Sequence, residues 1–390
     1  MNSKPCNVLL VLADDLGYGD ISCLNPQSRI STPSHDRIAR EGIVFTDAHA
    51  TSAVCTPSRY SLLTGRYCWR TRLKKGVLWS YSPPLLDEDE PTLARELQRA
   101  GYRTACVGKW HLGLGWSYPH DYTPHDLNIL DDPGINFRQP LWSGPHTHGF
   151  DESFITASSL DIPPYCFIHN GRVVEPPTML IGDSRRPAYW RGGRLSRGFR
   201  PETCLLELTV RAEAFIDHHV ASGTDKPFFL YFPTTSPHTP HVPREPFRGS
   251  SEAGVYGDFV VEHDWSVGRL IAALERNGIL DDTLIIITSD NGSHAGPMHL
   301  DRQFGHQTNH IYRGQKTDAW DGGHRVPLLM RWPARIKAGS LCDSLVCLSD
   351  IYRTISAAAG CGIEAAAAPD GVDLVTVVER GAPSTAGGGA

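Results

Sequence analysis

The 390-residue sequence has no Cys-x-x-Cys pair among its ten cysteines, no dense run of lysine or arginine, and no apolar stretch near the roughly 18 residues that span a bilayer. The first absence removes zinc-ribbon and thioredoxin-like sites. The second, with 43 acidic against 37 basic residues and a formal net charge of −6, argues against nucleic acid as a partner. The third leaves no expected membrane span. Five residues precede the first apolar run, Cys6 to Ala13, too few for a charged n-region, an apolar h-region and a cleavage site, so the chain reads as cytoplasmic as encoded. Cys106 and Cys204 sit in apolar stretches and read as small buried hydrophobes, and few disulfides are expected.

What is present is a repeated grammar. The run Asn7 to Ala13 is branched and apolar throughout and ends in Asp14-Asp15, the pattern of a buried parallel strand delivering carboxylates at its C-terminal end. Glu90 to Ala100 has helical periodicity, and Tyr102 to Val107 follows as a strand ending in Gly108-Lys109-Trp110-His111. Pro201 to Ala221 reads as a helix before the strand Phe228 to Phe232 and Ser236-Pro237-His238. Asp258 to Arg276 reads as a helix before the strand Leu284 to Thr288 and Ser289-Asp290-Asn291-Gly292. Helix then strand, repeated, predicts an α/β fold with a mostly parallel central sheet flanked by helices. Ligands bind such sheets outside the carboxyl ends of the strands, so these four ends are expected to converge. The 37 glycines and 29 prolines, dense in 113–149 and 161–200, predict loops and short hairpins over that face.

Asp14, Asp15, Asp290 and Asn291 offer oxygen ligands, which suit Ca²⁺ or Mg²⁺ rather than zinc. Cys55-Thr56-Pro57-Ser58-Arg59 opens a further helix, with Pro57 in its first turn, which sets Cys55 where free N–H groups favour negative charge. Beside Arg59, Cys55 is a candidate activated thiol; a structural cysteine at a helix start fits the same residues.

Cys55 to Gly65 matches Cys-x-Pro-x-Arg-x-x-x-x-Thr-Gly, and this segment resembles the signature of the type I, formylglycine-dependent sulfatases. Ala13-Asp14-Asp15-Leu16-Gly17-Tyr18-Gly19-Asp20 is similar to that family's first metal loop, Gly108 to Gly113 to its second motif, and Ser289 to Gly292 to its second metal loop. Arg313-Gly314-Gln315-Lys316 with Trp320 to Pro327 is similar to its late lysine motif, and the resemblance spans about 6 to 375. It implies the alkaline-phosphatase-like fold. It also implies hydrolysis of a sulfuric ester, and Ser158 to Tyr165 and Tyr312 to Lys316 resemble the carbohydrate, hexosamine-directed arm, so that a sulfated glycan or small molecule is the expected substrate.

In that family a separate formylglycine-generating enzyme oxidises the cysteine to an aldehyde. One hydroxyl of its hydrate attacks sulfur and expels the alcohol; loss of the second hydroxyl's proton reforms the aldehyde as sulfate leaves. A thiol has no second hydroxyl to do this. The resemblance implies that calcium is held by Asp14, Asp15, Asp290, Asn291 and residue 55, and that Arg59, Lys109 and Lys316 hold sulfate oxygens. His111 would orient the diol, His238 would protonate the leaving alcohol, and His310 would line the substrate pocket. The expected organisation is a catalytic core over 1–362 and a low-complexity tail over 363–390, where relatives continue into a smaller C-terminal domain that reads here as truncated or absent. A phosphonate or phosphodiester hydrolase with the same nucleophile, and a glycan-binding protein without turnover, stand as alternatives.

Overall fold

The computed structural model describes residues 5–79, 81–125, 132–185, 188–294, 299–362 and 367–379. The four predicted strands lie in one ten-stranded sheet. Its order runs Ser340–Cys342, Ile43–Phe45, Leu328–Arg331, Thr283–Ser289, Asn7–Asp14, Phe228–Pro237, Arg103–Lys109, Glu152–Thr156, Ile168–His169, Arg172–Val173. The five strands from Thr283–Ser289 to Glu152–Thr156 are mutually parallel, and antiparallel pairings lie outside them.

The central strands are apolar on both faces because both faces are covered. Val8, Leu10, Leu12, Phe229, Tyr231, Leu284 and Ile286 point into one core, which the helices Cys55–Thr64, Leu93–Arg99 and Asp350–Ala358 close. Their alternates Leu9, Val11, Phe228, Leu230, Phe232, Ile285 and Ile287 point into another, closed by Pro33–Glu41, Pro201–Ala221 and Gly254–Arg276. The alternation is the period-2 geometry of a strand acting on two helical layers. None of the ten cysteines is paired.

The strand expected at Phe228 to Phe232 continues to Pro237. Proline cannot donate to a ladder, and the added stretch holds two, Pro233 and Pro237. The structure accommodates them with a register shift between Leu12 and Asp14 of the neighbouring strand. This extension carries Ser236 and His238 out to the level of Asp14. Gly108 makes a related concession on the other side: a Cβ there would meet the Pro233 carbonyl oxygen at 1.8 Å.

Of the stretch 363–390, residues 367–379 are described, and 363–366 and 380–390 lie outside the described residues. Ala368 is fully buried. The Asp370 carboxylate accepts hydrogen bonds from the Tyr67 backbone and from Arg70 at 2.6–2.8 Å. Leu374 and Val375, on the helix Leu374–Glu379, enter the same core as the Asp350–Ala358 helix. Among the described residues no helix is long and apolar enough to cross a membrane.

Gly65 ends the Cys55–Thr64 helix in the left-handed region at φ +62°, and a Cβ there would lie 2.2 Å from the Ala368 Cβ. Gly65→Ala is therefore expected to lower stability by about 2 kcal/mol or more, combining backbone strain with a clash. Urea unfolding measures it; a loss below about 0.5 kcal/mol, the level of a neutral surface change, would count against this packing.

Candidate active site

Two adjacent parallel strands, Asn7–Asp14 and Thr283–Ser289, end side by side. Their last peptides are knitted together: the Asp290 N–H donates to the Ala13 carbonyl, the Asp15 N–H to the Asp290 Oδ1 at 3.1 Å, and the Leu16 N–H to the Ser289 Oγ at 2.9 Å. Asp14, Asp15, Asp290 and Asn291 are thereby brought together, all buried. The helix Cys55–Thr64 points its N-terminus at them, with the Cys55 Sγ 3.6 Å from the Asp14 Oδ1. Ligand atoms of Asp14, Asp15, Cys55 and His238 all lie within 4.8 Å of one another.

Each carboxylate has a cation. The Lys109 Nζ donates to both Asp14 oxygens at 2.7 and 2.8 Å, and the Lys316 Nζ to Asp15 at 2.8 Å. Arg59 donates through Nε and Nη2 to the Asp290 Oδ2 at 3.0 and 2.7 Å, and through Nη1 to the Lys109 carbonyl at 3.0 Å. Burial alone raises a carboxyl's pKa, but for Asp14 the Lys109 ammonium, with His238 and Arg59, outweighs it and holds the group far below the usual range. Lys316 and His238 do the same for Asp15. For Asp290 burial wins over Arg59, and its carboxyl is raised. Lys316 is itself raised, because Asp15 outweighs its desolvation.

Cys55 departs from the activated-thiol reading. Burial, reinforced by Asp290, pushes its thiol up to about 12, so at neutral pH it is protonated. The helix N-terminus and Arg59 do not make a thiolate here, because Arg59 is spent on Asp290.

His111 gives its Nε2 hydrogen to the Leu78 carbonyl at 2.9 Å. Burial, with Lys109 and Arg59 nearby, holds its pKa well below 6.5, so the ring is neutral, and its Nδ1 is buried without a hydrogen-bond partner. His238 donates from Nδ1 to the Thr239 carbonyl at 2.7 Å, while its Nε2 stands 3.6 Å from the Asp15 Oδ2. His310 lies elsewhere: its ring contacts Tyr18 and Tyr312 at 6.4 and 6.1 Å between centroids, in a cleft of about 510 Å³ lined by His299, Arg302 and Gln315.

Two buried networks that the sequence did not announce hold this arrangement. Asp20 accepts from the Gly17 N–H at 2.8 Å, from the Tyr256 hydroxyl, and lies 2.8 Å from the His306 Nε2; Tyr256 also meets the Ser293 Oγ at 3.0 Å. This ties the loops after both carboxylate strands to the segment leading to Lys316. Asp20 stood in the first metal-loop motif, and that was the available signal; nothing marked Tyr256 or Ser293. In the second network the His263 Nδ1 lies 3.1 Å from the Ser236 Oγ, beside a His35–Asp264 pair at 2.6 Å.

Burial, reinforced by His35, depresses the pKa of His263 to about 3. Below about pH 6.5 the unfolded chain takes up a proton that folded His263 refuses, so stability falls with pH by up to about 1.4 kcal/mol per unit until about pH 3. Urea unfolding between pH 7 and 5 is expected to show a steeper decline in the wild type than in His263→Gln; equal slopes would exclude this source.

A family model described as Sulfatase matches residues 6–361. The N-acetylgalactosamine-6-O-sulfatase of Bacteroides thetaiotaomicron is 34% identical over 407 residues, covering 95% of this chain and 75% of that protein. The mouse Steryl-sulfatase is 33% identical over 411 residues, covering 96% of this chain and 65% of its own length. A solved structure from work on glycosaminoglycan metabolism by Bacteroides thetaiotaomicron superposes with a TM-score of 0.82 at 32% identity, over 97% of this chain and 82% of the other. The chain thus spans about two thirds to four fifths of these relatives' lengths.

Proposed function

The chain belongs to the sulfatase family, and we propose that it removes sulfate from a hydroxyl of a sugar with a calcium ion held by Asp14, Asp15, Asp290 and Asn291 and a formylglycine made from Cys55. Hydrolysis of sulfate esters follows from the family. The convergence of Cys55, Asp14, Asp15 and His238 at one point beneath three buried cations supports the calcium and formylglycine reading best.

The donors fit a hard cation. Three are carboxylates, and the Asn291 Oδ1 is buried with no hydrogen-bond donor, a costly state that a cation relieves. The Asn291 Nδ2 is already engaged with the Asp15 Oδ1 at 2.7 Å, which turns the amide so that its oxygen is free. Sulfur is the misfit: a thiol with a pKa near 12 is a poor ligand for calcium, whereas the hydrated aldehyde would complete an all-oxygen set. Calcium, when bound, would neutralise charge and make a hydroxyl at position 55 easier to deprotonate.

The chain's own residues supply the rest. Three carboxylates facing three cations are balanced; a divalent ion leaves a positive surplus that draws in the sulfate ester. Arg59, Lys109 and Lys316 then hold the sulfate oxygens and stabilise charge that develops on them. Neutral His111 offers its unpartnered Nδ1 as a proton acceptor near residue 55. His238, its Nδ1 hydrogen committed to Thr239, would in its protonated form give its Nε2 hydrogen to the departing sugar oxygen. The carbohydrate preference is supported by the N-acetylgalactosamine-6-O-sulfatase likeness. His310, stacked on Tyr18 in its separate cleft, is given no part in this reading.

Cys55 is 2% exposed, so the formylglycine-generating enzyme has to reach it before the fold closes. Co-production with that enzyme is expected to yield a residue-55 peptide with the mass of formylglycine, and sulfate release from a sulfated sugar. Cys55→Ala is expected to abolish release, and Lys316→Ala to lower kcat/KM by about 10²–10³. Sulfate release from Cys55→Ala at the wild-type rate would refute the nucleophile.

Calcium binding is expected to raise the urea midpoint of the wild type, by about 2.7 kcal/mol of stability at one hundred times Kd. Asn291→Ala should lose much of that increment. An increment identical in both proteins would place the ion elsewhere.

A further inference from the structure

Beside the proposed acid stands an ion pair that the chemistry above does not use. Asp161 is 5% exposed, and its Oδ2 is bonded to the Arg191 Nη1. Its Oδ1 is buried with no hydrogen-bond partner. The His238 Nδ1 lies 3.7 Å from that oxygen, too far for a hydrogen bond, and that nitrogen's hydrogen already goes to Thr239. A buried carboxylate oxygen without a donor is unfavourable, and a ligand that brings a hydroxyl relieves it.

The pair is firmly placed. The Arg191 N–H donates to the Asp161 carbonyl at 3.1 Å, and the Tyr165 hydroxyl to the Arg191 carbonyl at 2.7 Å. The guanidinium lies over the rings of Trp79 and Tyr189, 5.0 and 5.3 Å from their centres, and keeps 22% of its side-chain surface exposed. Both rings are tied to the reaction centre. Trp79 follows Leu78, whose carbonyl holds His111, and the Tyr189 carbonyl is 3.5 Å from the hydroxyl of Thr239. The His238 ring reaches both carboxylates, its Nδ1 3.7 Å from the Asp161 Oδ1 and its Nε2 3.6 Å from the Asp15 Oδ2.

We propose that Asp161 and Arg191, with Trp79 and Tyr189, form the subsite for the alcohol part of the substrate and select a polyhydroxylated ring, a sugar, over a flat apolar alcohol. The carboxylate accepts from one ring hydroxyl and the guanidinium donates to its neighbour, a pairing that vicinal hydroxyls supply and a sterol or phenol does not. The aromatic rings take the ring's C–H surface. An apolar alcohol would instead cover the ion pair with hydrocarbon and leave the orphan oxygen unsatisfied, which disfavours it.

The inference rests on the reading of the chain as a formylglycine-dependent sugar sulfatase, and its test separates the two. The enzyme, converted at Cys55 and loaded with calcium, is assayed on N-acetylgalactosamine 6-sulfate and on 4-nitrophenyl sulfate. In Asp161→Asn and Arg191→Gln the ratio of kcat/KM on the sugar to that on the aryl ester is expected to fall at least about tenfold. Arg191→Lys, which keeps the charge but not the fork, gives the same reading where either variant fails to fold. An unchanged ratio in the folded variants would overturn the subsite while leaving the sugar sulfatase standing. A wild type that releases sulfate from the aryl ester but not from the sugar would overturn both.

Discussion

Everything in the site depends on holding three carboxylates together where water is nearly absent. Asp14, Asp15 and Asp290 are at most 4% exposed, and like charges so close repel strongly at low dielectric. They coexist because Lys109, Lys316 and Arg59 are buried against them, one to each. Such an ensemble is poor value as a source of stability, since removing any member strands a charge at a cost of about 3–5 kcal/mol. Its presence therefore argues for chemistry: in the proposed reading, the same six groups that neutralise each other would divide between a divalent cation and a sulfate ester.

The fold answers the steric side of that demand. Parallel strands bring backbone ends to one edge without any loop crossing between them, so Asp14 and Asp290 arrive on neighbouring strands in fixed register. The cations come from farther off, Lys109 from the strand two places away and Lys316 from a loop. A loop lysine needs bracing, and the Asp20, His306, Tyr256 and Ser293 network supplies it by joining the loops on which Asp15, Asn291 and Lys316 depend. His263 beneath Ser236 serves the His238 end in the same manner.

These two scales explain what the sequence made legible. Uniformly apolar runs such as Asn7 to Ala13 carry a local signal, because a strand covered on both faces has no polar alternate, and so the sheet and its converging ends were readable. Residues 55 to 65 were readable because chemistry restricts each fixed position. Pairings distant in the chain left no such trace: Asp20 and Asp161 lie in marked segments, but nothing paired them with His306 and Arg191 until the fold brought them together. The thiol's state was also hidden, since Arg59 looked like a neighbour that activates Cys55, and only the structure shows its guanidinium taken by Asp290. The end of the strand at Pro237 was missed for a local reason, two prolines that suggest termination where a register shift admits them.

The protonated thiol bears on why conversion of residue 55 suits this site. A thiolate beside Asp14 and Asp290 would add a fourth negative charge to a set already balanced, and burial with Asp290 pushes the pKa up accordingly. The site thus disfavours the nucleophile that the gene encodes. A neutral hydrate, as proposed for residue 55, would avoid the problem, since it adds no charge of its own and the unpartnered His111 Nδ1 would accept its proton. In the proposed reading, the same electrostatic balance that holds the carboxylates together works against a thiolate and suits an oxygen nucleophile.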